Sequence, residues 1–228
     1  MFLNSIRYGA NRAGMQWAMG LALLLLVALS ARFAAAQTAQ AAPAKDVRTV
    51  LVMGDSLSAA YGLAPSQGWV ALTAERIGKT RPGWRVVNAS ISGETSAGGA
   101  ARIEAELRRH APAVVVIALG ANDGLRGLPL AQTRANLEKM IKAAQAGKAR
   151  VLLVGMRMPP NYGPEYTRGF EQNFSALAKQ YGTALLPFLL EPIALDRAAY
   201  QADNLHPVAS AQPKLRDHVW KALEPLLR

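Results

Sequence analysis

The sequence predicts an α/β protein, a three-layer α/β/α sandwich built on a five-stranded parallel sheet. Three observations predict it. Short apolar runs alternate with longer amphipathic segments over residues 49–227, the order that builds a parallel sheet. Most of these runs are continuous in apolar residues rather than alternating, as in strands covered on both faces. Small and polar residues collect just after the strands, where such sheets bind ligands.

Residues 49–53, β-branched and apolar and ending at Gly54, read as the first buried strand. Residues 69–77 read as a helix and 85–88 as the second strand. Ser96–His110 is helical, with Ile103 and Leu107 four apart; its closing Arg108, Arg109 and His110 suit the negative end of the helix dipole. Residues 113–119 form the third strand. Leu130–Ala146 gathers Leu130, Ala131, Leu137, Met140 and Ile141 on one side of a helix. Arg150–Val154 is the fourth strand. Residues 165–181 carry Phe170, Phe174, Leu177 and Tyr181 at spacings of four, three and four, a core stripe. Residues 184–187 make a short fifth strand, and 208–227 a closing helix with Pro213 in its first turn. The expected arrangement is flavodoxin-like, without internal repeats.

Length and composition narrow the function. The 228 residues suit one domain, and 51% apolar against 18% charged residues excludes a wholly disordered chain. Cysteine is absent, which excludes disulfides, thiolate metal sites, a Cys nucleophile and a lipid-bearing N-terminal Cys. Only His110, His206 and His218 offer an imidazole.

Residues 1–36 hold Arg7, Arg12 and Arg32, no acid, an apolar run over 18–29, and Ala34, Ala35 and Ala36 at its end. This reads as a secretory signal cleaved after Ala36, hence a periplasmic or secreted protein; an uncleaved anchor is the alternative. Residues 37–46 then form a flexible mature N-terminus, and 47–228 the folded domain. Loss of the three arginines leaves 23 basic and 15 acidic residues, or +8. These charges are scattered and lack stacking aromatics, so the expected partners exclude nucleic acid. A transient contact with an anionic membrane surface is expected instead, and the chain is expected to be a monomer.

Four blocks carry the chemistry. Gly54-Asp55-Ser56-Leu57-Ser58 follows the first strand, and Ser90-Ile91-Ser92-Gly93-Glu94 the second. Gly120-Ala121-Asn122-Asp123-Gly124 follows the third, and Asp203-Asn204-Leu205-His206-Pro207 precedes the last helix. A serine hydroxyl is a weak nucleophile until a base takes its proton. Ser56 is placed to be that nucleophile, and His206 is the one histidine in a rim loop. Asp203, three residues earlier, is spaced to orient its ring and stabilise the imidazolium. The Ser56 and Gly93 N–H groups and the Asn122 amide are expected to form an oxyanion hole. Each block alone also reads as a helix cap or a turn; together they converge on one rim. His110 and His218 read as structural. Asp55 and Asp123 read as loop-shaping acceptors rather than a metal pair. Leu57, Met158, Pro159 and Tyr162 are the candidate wall of an acyl groove, with flexible Met and rigid Pro facing the chain.

These blocks resemble the SGNH hydrolases, also called the GDSL esterase/lipase family, through Ser56, Gly93, Asn122 and His206, with Asp203 completing the triad. Residues 87–95, 122–127, 160–163 and 185–188 resemble its bacterial secreted thioesterase/protease/lysophospholipase (arylesterase) branch. Ala121 stands where many members of that branch have glycine. The resemblance implies the SGNH hydrolase fold and hydrolysis of acyl esters and thioesters, including small-molecule and lipid esters, through an acyl-serine and without cofactor or metal. Position 58 is serine, so the Gly-x-Ser-x-Gly elbow of α/β-hydrolases is absent. Two rivals remain: a carbohydrate O-deacetylase with the same triad, and a non-catalytic basic protein that binds lipid headgroups.

Overall fold

The computed structural model describes residues 47–228; the expectations on residues 1–46 lie outside the described residues. Five strands, β1 (Arg48–Gly54), β2 (Trp84–Asn88), β3 (Val114–Ala118), β4 (Arg150–Val154) and β5 (Ala184–Leu186), pair in the order β2-β1-β3-β4-β5. Every pairing is parallel. Leu51 lies opposite Val87 on one side and Val115 on the other, and Leu153 opposite Ile117 and Leu185. The order reverses between β1 and β3, because the chain runs outward from β1 in one direction and then the other. That reversal opens a crevice at the strands' carboxyl ends.

Among the described residues six α-helices cover the sheet: α1 (Trp69–Thr80), α2 (Ser96–His110), α3 (Ala121–Leu125), α4 (Leu130–Ala146), α5 (Pro164–Tyr181) and α6 (Gln212–Leu223). Successive strand residues point to opposite faces, so each strand feeds two cores. Val50, Val52, Val114, Val116, Leu152 and Val154 pack with Trp69 and Ile77 of α1 and Leu215, Val219 and Trp220 of α6. Leu51, Met53, Val115, Ile117, Val151 and Leu153 pack with Ile103 of α2, Leu137, Met140 and Ile141 of α4, and Phe170, Phe174 and Leu177 of α5. β3 is central, and Val114, Val115, Val116 and Ile117 are wholly buried. Each such side chain contributes about 1.5–3 kcal/mol. This double covering explains why the strands read as unbroken apolar runs.

The expected elements form with small differences at their ends. The 208–227 helix divides: a 3₁₀ turn at Ala209–Ala211, α6, then a second turn at Glu224–Leu226. Pro225, which lacks an N–H and clashes with the preceding turn, stops the α-helix there. β5 stops at Leu186, one residue short of the expected limit. Residues 121–125, read only as a loop, close one helical stretch, with the Gly124 N–H donating to the Gly120 carbonyl. α2 ends on Ala111 in the left-handed region, whose N–H returns to the Leu107 carbonyl.

Candidate active site

The turn after β1 carries Ser56. Its backbone folds tightly, with the Ser58 and Ala59 N–H groups donating to the Asp55 carbonyl at 3.1 and 2.9 Å. Asp55 is 2% exposed, and its Oδ1 accepts the Leu57 N–H at 3.0 Å. Burial dominates that hydrogen bond and pushes its carboxyl up to about 6. The β2–α2 loop is sewn to this turn, since the Ile91 N–H donates to the Gly54 carbonyl at 3.0 Å.

Some 150 residues later the loop before α6 brings His206 to the same rim. Its Nε2 lies 2.8 Å from Ser56 Oγ, and its Nδ1 2.6 Å from Asp203 Oδ2. Asp203 is bent back onto its own loop: Oδ1 accepts the Leu205 and His206 N–H groups at 2.9 and 3.0 Å. The His206 N–H, the imidazole and the Leu205 N–H hold the Asp203 carboxyl down at about 2. An ionised carboxylate only accepts, so Nδ1 carries the ring hydrogen and Nε2 turns its lone pair to the Ser56 hydroxyl. Serine, histidine and aspartate therefore form one continuous hydrogen-bonded chain.

Asn122 sits on α3 and lines the same cleft as Ser56. Its Nδ2 donates one hydrogen to the Glu94 carbonyl at 3.0 Å, and the amide has a second to offer. The loop it holds is itself braced. Glu94 forms a half-buried ion pair with Arg102, which also donates to the Ala89 carbonyl at 2.5 Å. Arg126 donates to the Gly93 carbonyl at 3.1 Å. Gly93 has φ +79°, and no heavy atom lies within 4 Å of a Cβ built there. Its glycine answers a backbone requirement of the turn, then, rather than crowding by neighbouring residues. Asp123 points the other way, into the core, where it accepts the Ser96 N–H at 2.8 Å, the Ser96 hydroxyl, and the Thr133 hydroxyl at 3.3 Å. It ties α3 to α2 and α4. Among the described residues no three His, Asp or Glu side chains are grouped to hold a metal ion.

A cleft of about 360 Å³ opens beside Ser56. Leu57, Met158 and Pro159 line it, together with Leu125, Met156, Phe188, Leu190 and Leu205. Tyr162 does not, and the groove assignment is corrected at that position. Its hydroxyl donates to the Leu125 carbonyl at 2.7 Å, and its ring packs 6.1 Å from Tyr166, lining a separate hollow. The short 3₁₀ turn at Pro160–Tyr162 swings it away from the rim, so it supports the cleft wall from behind. Sequence reasoning missed Phe188 and Leu190, which follow β5 in an irregular segment with no period to mark them. It also missed Tyr61, whose ring lies against His206 at 4.4 Å. The two other histidines are engaged elsewhere: His110 beside Glu106 at 3.3 Å, and His218 with the Phe188 carbonyl at 3.0 Å.

The chain is similar to known proteins along most of its length. Residues 52–212 match the model of the GDSL-like lipase/acylhydrolase family. The chain is 53% identical over 180 residues to esterase TesA of Pseudomonas aeruginosa, covering 79% of this chain and 90% of that protein. It is 41% identical over 207 residues to thioesterase 1/protease 1/lysophospholipase L1 of Escherichia coli K12, covering 91% and 93%. A crystal structure of TesA superposes with a TM-score of 0.76 at 52% identity, covering 78% of this chain and 99% of that one.

Proposed function

The chain belongs to the GDSL-like lipase/acylhydrolase family and is an ester hydrolase, and from that premise we propose that Ser56, His206 and Asp203 are its catalytic triad. The observation that carries this reading is the pair of contacts at 2.8 and 2.6 Å through the two nitrogens of one imidazole.

The steps follow from those contacts. Nε2 takes the Ser56 proton as Oγ bonds to the acyl carbon, and the carbonyl electrons move onto oxygen. Asp203 stabilises the imidazolium this creates without taking the proton. The Ser56 and Gly93 N–H groups and the free hydrogen of the Asn122 amide receive the oxyanion; one such donor is worth about 2.7–4 kcal/mol in comparable enzymes. Collapse breaks the bond to the alcohol or thiol, which leaves with the proton from Nε2. Water, deprotonated by the same nitrogen, then attacks the acyl-serine and releases the acid and the free hydroxyl. No step calls on a metal or an organic cofactor.

The apolar wall formed by Leu57, Met158, Pro159 and their neighbours supports an acyl chain as the bound part of the substrate. Aryl esters, acyl thioesters and lysophospholipids are the classes the reading covers. Purified wild type and Ser56→Ala, assayed on nitrophenyl esters, acyl thioesters, lysophospholipids and an acetylated sugar, test it. Loss of hydrolysis in a folded Ser56→Ala supports the triad; retained hydrolysis overturns it. Activity on the acetylated sugar alone would favour the deacetylase reading, against which the apolar lining stands.

The N-terminal sequence supports export with cleavage after Ala36, and the positive charge of the mature chain supports a transient contact with an anionic membrane surface; the proposed oligomeric state is a monomer. A mature chain starting at Gln37 supports the first point, and one retaining residue 1 overturns it. No described helix is long and apolar enough to cross a membrane.

A further inference from the structure

Tyr61 is a large side chain left 51% exposed, and no step above uses it. Its ring nevertheless lies on the imidazole of His206, with centroids 4.4 Å apart and planes 37° from parallel. The backbone that presents it is unusual. Ala60 has φ 59°, a left-handed conformation that costs a residue with a Cβ, and Gly62 has φ 74°.

One side chain joins this segment to the triad loop. Gln201 Nε2 donates to the Tyr61 carbonyl at 2.8 Å and to the Pro207 carbonyl at 3.2 Å. The Gln201 backbone N–H donates to the His206 carbonyl at 2.8 Å, and its carbonyl accepts the Asn204 N–H at 2.9 Å. The fit is close: a Cβ on Gly62 would stand 2.2 Å from Gln201 Oε1. A residue with a side chain there would both strain the turn and push the amide aside.

We propose that Tyr61, locked by Gln201, is a positioning residue for His206. The inference rests on the triad assignment above. Asp203 and Ser56 hold the imidazole by its two nitrogens, in the plane of the ring. Two in-plane contacts fix an axis and leave the ring free to tilt about it. A ring laid on one face removes that freedom, and its electron-rich face stabilises the cation that forms when Ser56 gives up its proton. The same placement explains why an aromatic residue stays half exposed next to the cleft, with its main chain clipped to the loop it serves.

The test compares Tyr61→Leu, Tyr61→Phe and Gln201→Glu with wild type on a soluble short-chain nitrophenyl ester, kcat and KM being measured separately. The melting temperature and the rate at which an organophosphonate modifies Ser56 are measured alongside. Tyr61→Leu is expected to lower kcat and the phosphonylation rate about two- to fivefold, the worth of a cation on an exposed aromatic face. KM and melting temperature should stay near wild type, and Tyr61→Phe, which keeps the ring, should restore kcat. Gln201→Glu keeps the shape but cannot donate, so it should reproduce the kcat loss. Unchanged kcat in Tyr61→Leu, a loss confined to KM, or failure of phenylalanine to rescue overturns the proposal. If Tyr61→Leu does not fold, wild-type kcat in Gln201→Glu overturns it instead. Ser56→Ala separates the two levels: its inactivity alongside indifferent Tyr61 variants sinks only this inference, whereas an active Ser56→Ala sinks the triad.

Discussion

Replacing Asp55 by asparagine should make the protein more stable, and increasingly so from pH 4 to pH 7. Asp55 is 2% exposed and its carboxyl is pushed up from 3.8 to about 6, chiefly by burial. Between those values the folded chain holds a proton that the unfolded chain has released. Stability therefore falls as pH rises through this window, and the fall is complete once both forms are ionised. The displacement from 3.8 to about 6 corresponds to roughly 3 kcal/mol. Asparagine cannot ionise, and its Oδ1 can still accept the Leu57 N–H. The variant should match wild type near pH 4 and gain up to about 3 kcal/mol by pH 7, a shift of about 1.5 M in urea midpoint for a slope of about 2 kcal/mol/M. Asp203, held near 2, titrates below this window and cancels in the difference between the two proteins. Urea unfolding of both at pH 4, 5, 6 and 7 measures the effect. A midpoint difference that stays constant across those pH values would refute the argument, because a constant offset is packing and not ionisation.

Two further expectations concern the active site. Asp203→Asn keeps an acceptor for the Leu205 and His206 N–H groups, so the melting temperature should hold. Its amide now donates toward Nδ1, leaving the hydrogen on Nε2, and kcat should fall about 10⁴-fold, as in other triads; undiminished turnover would contradict the orienting role. Met158 is 7% exposed in the cleft wall, so Met158→Asp should depress kcat/KM on a long-chain ester more than on an acetate ester. The ratio of the two on one preparation is independent of how much protein folds, and an unchanged ratio would remove Met158 from the acyl wall.

The amino-acid sequence by itself determined the layers and most of the chemistry. Unbroken apolar runs such as residues 151–154 and four-three-four stripes such as Phe170, Phe174, Leu177 and Tyr181 each point to one kind of packing, because local periodicity decides which faces are buried. Ser56, Asn122 and His206 were legible because small and polar residues cluster where strands end. The tertiary structure alone decided which of those residues meet. Ser56 and His206 are 150 positions apart, and only strand order and loop course bring their atoms to 2.8 Å. It moved Tyr162 behind the wall, through a 3₁₀ turn whose direction no sequence period encodes. It also brought Tyr61 and Gln201 onto the loop that carries His206, since a tilted ring contact and a clip through main-chain carbonyls leave no pattern along the chain. Periodicity specifies what a segment turns inward; it does not specify which distant segment it will touch.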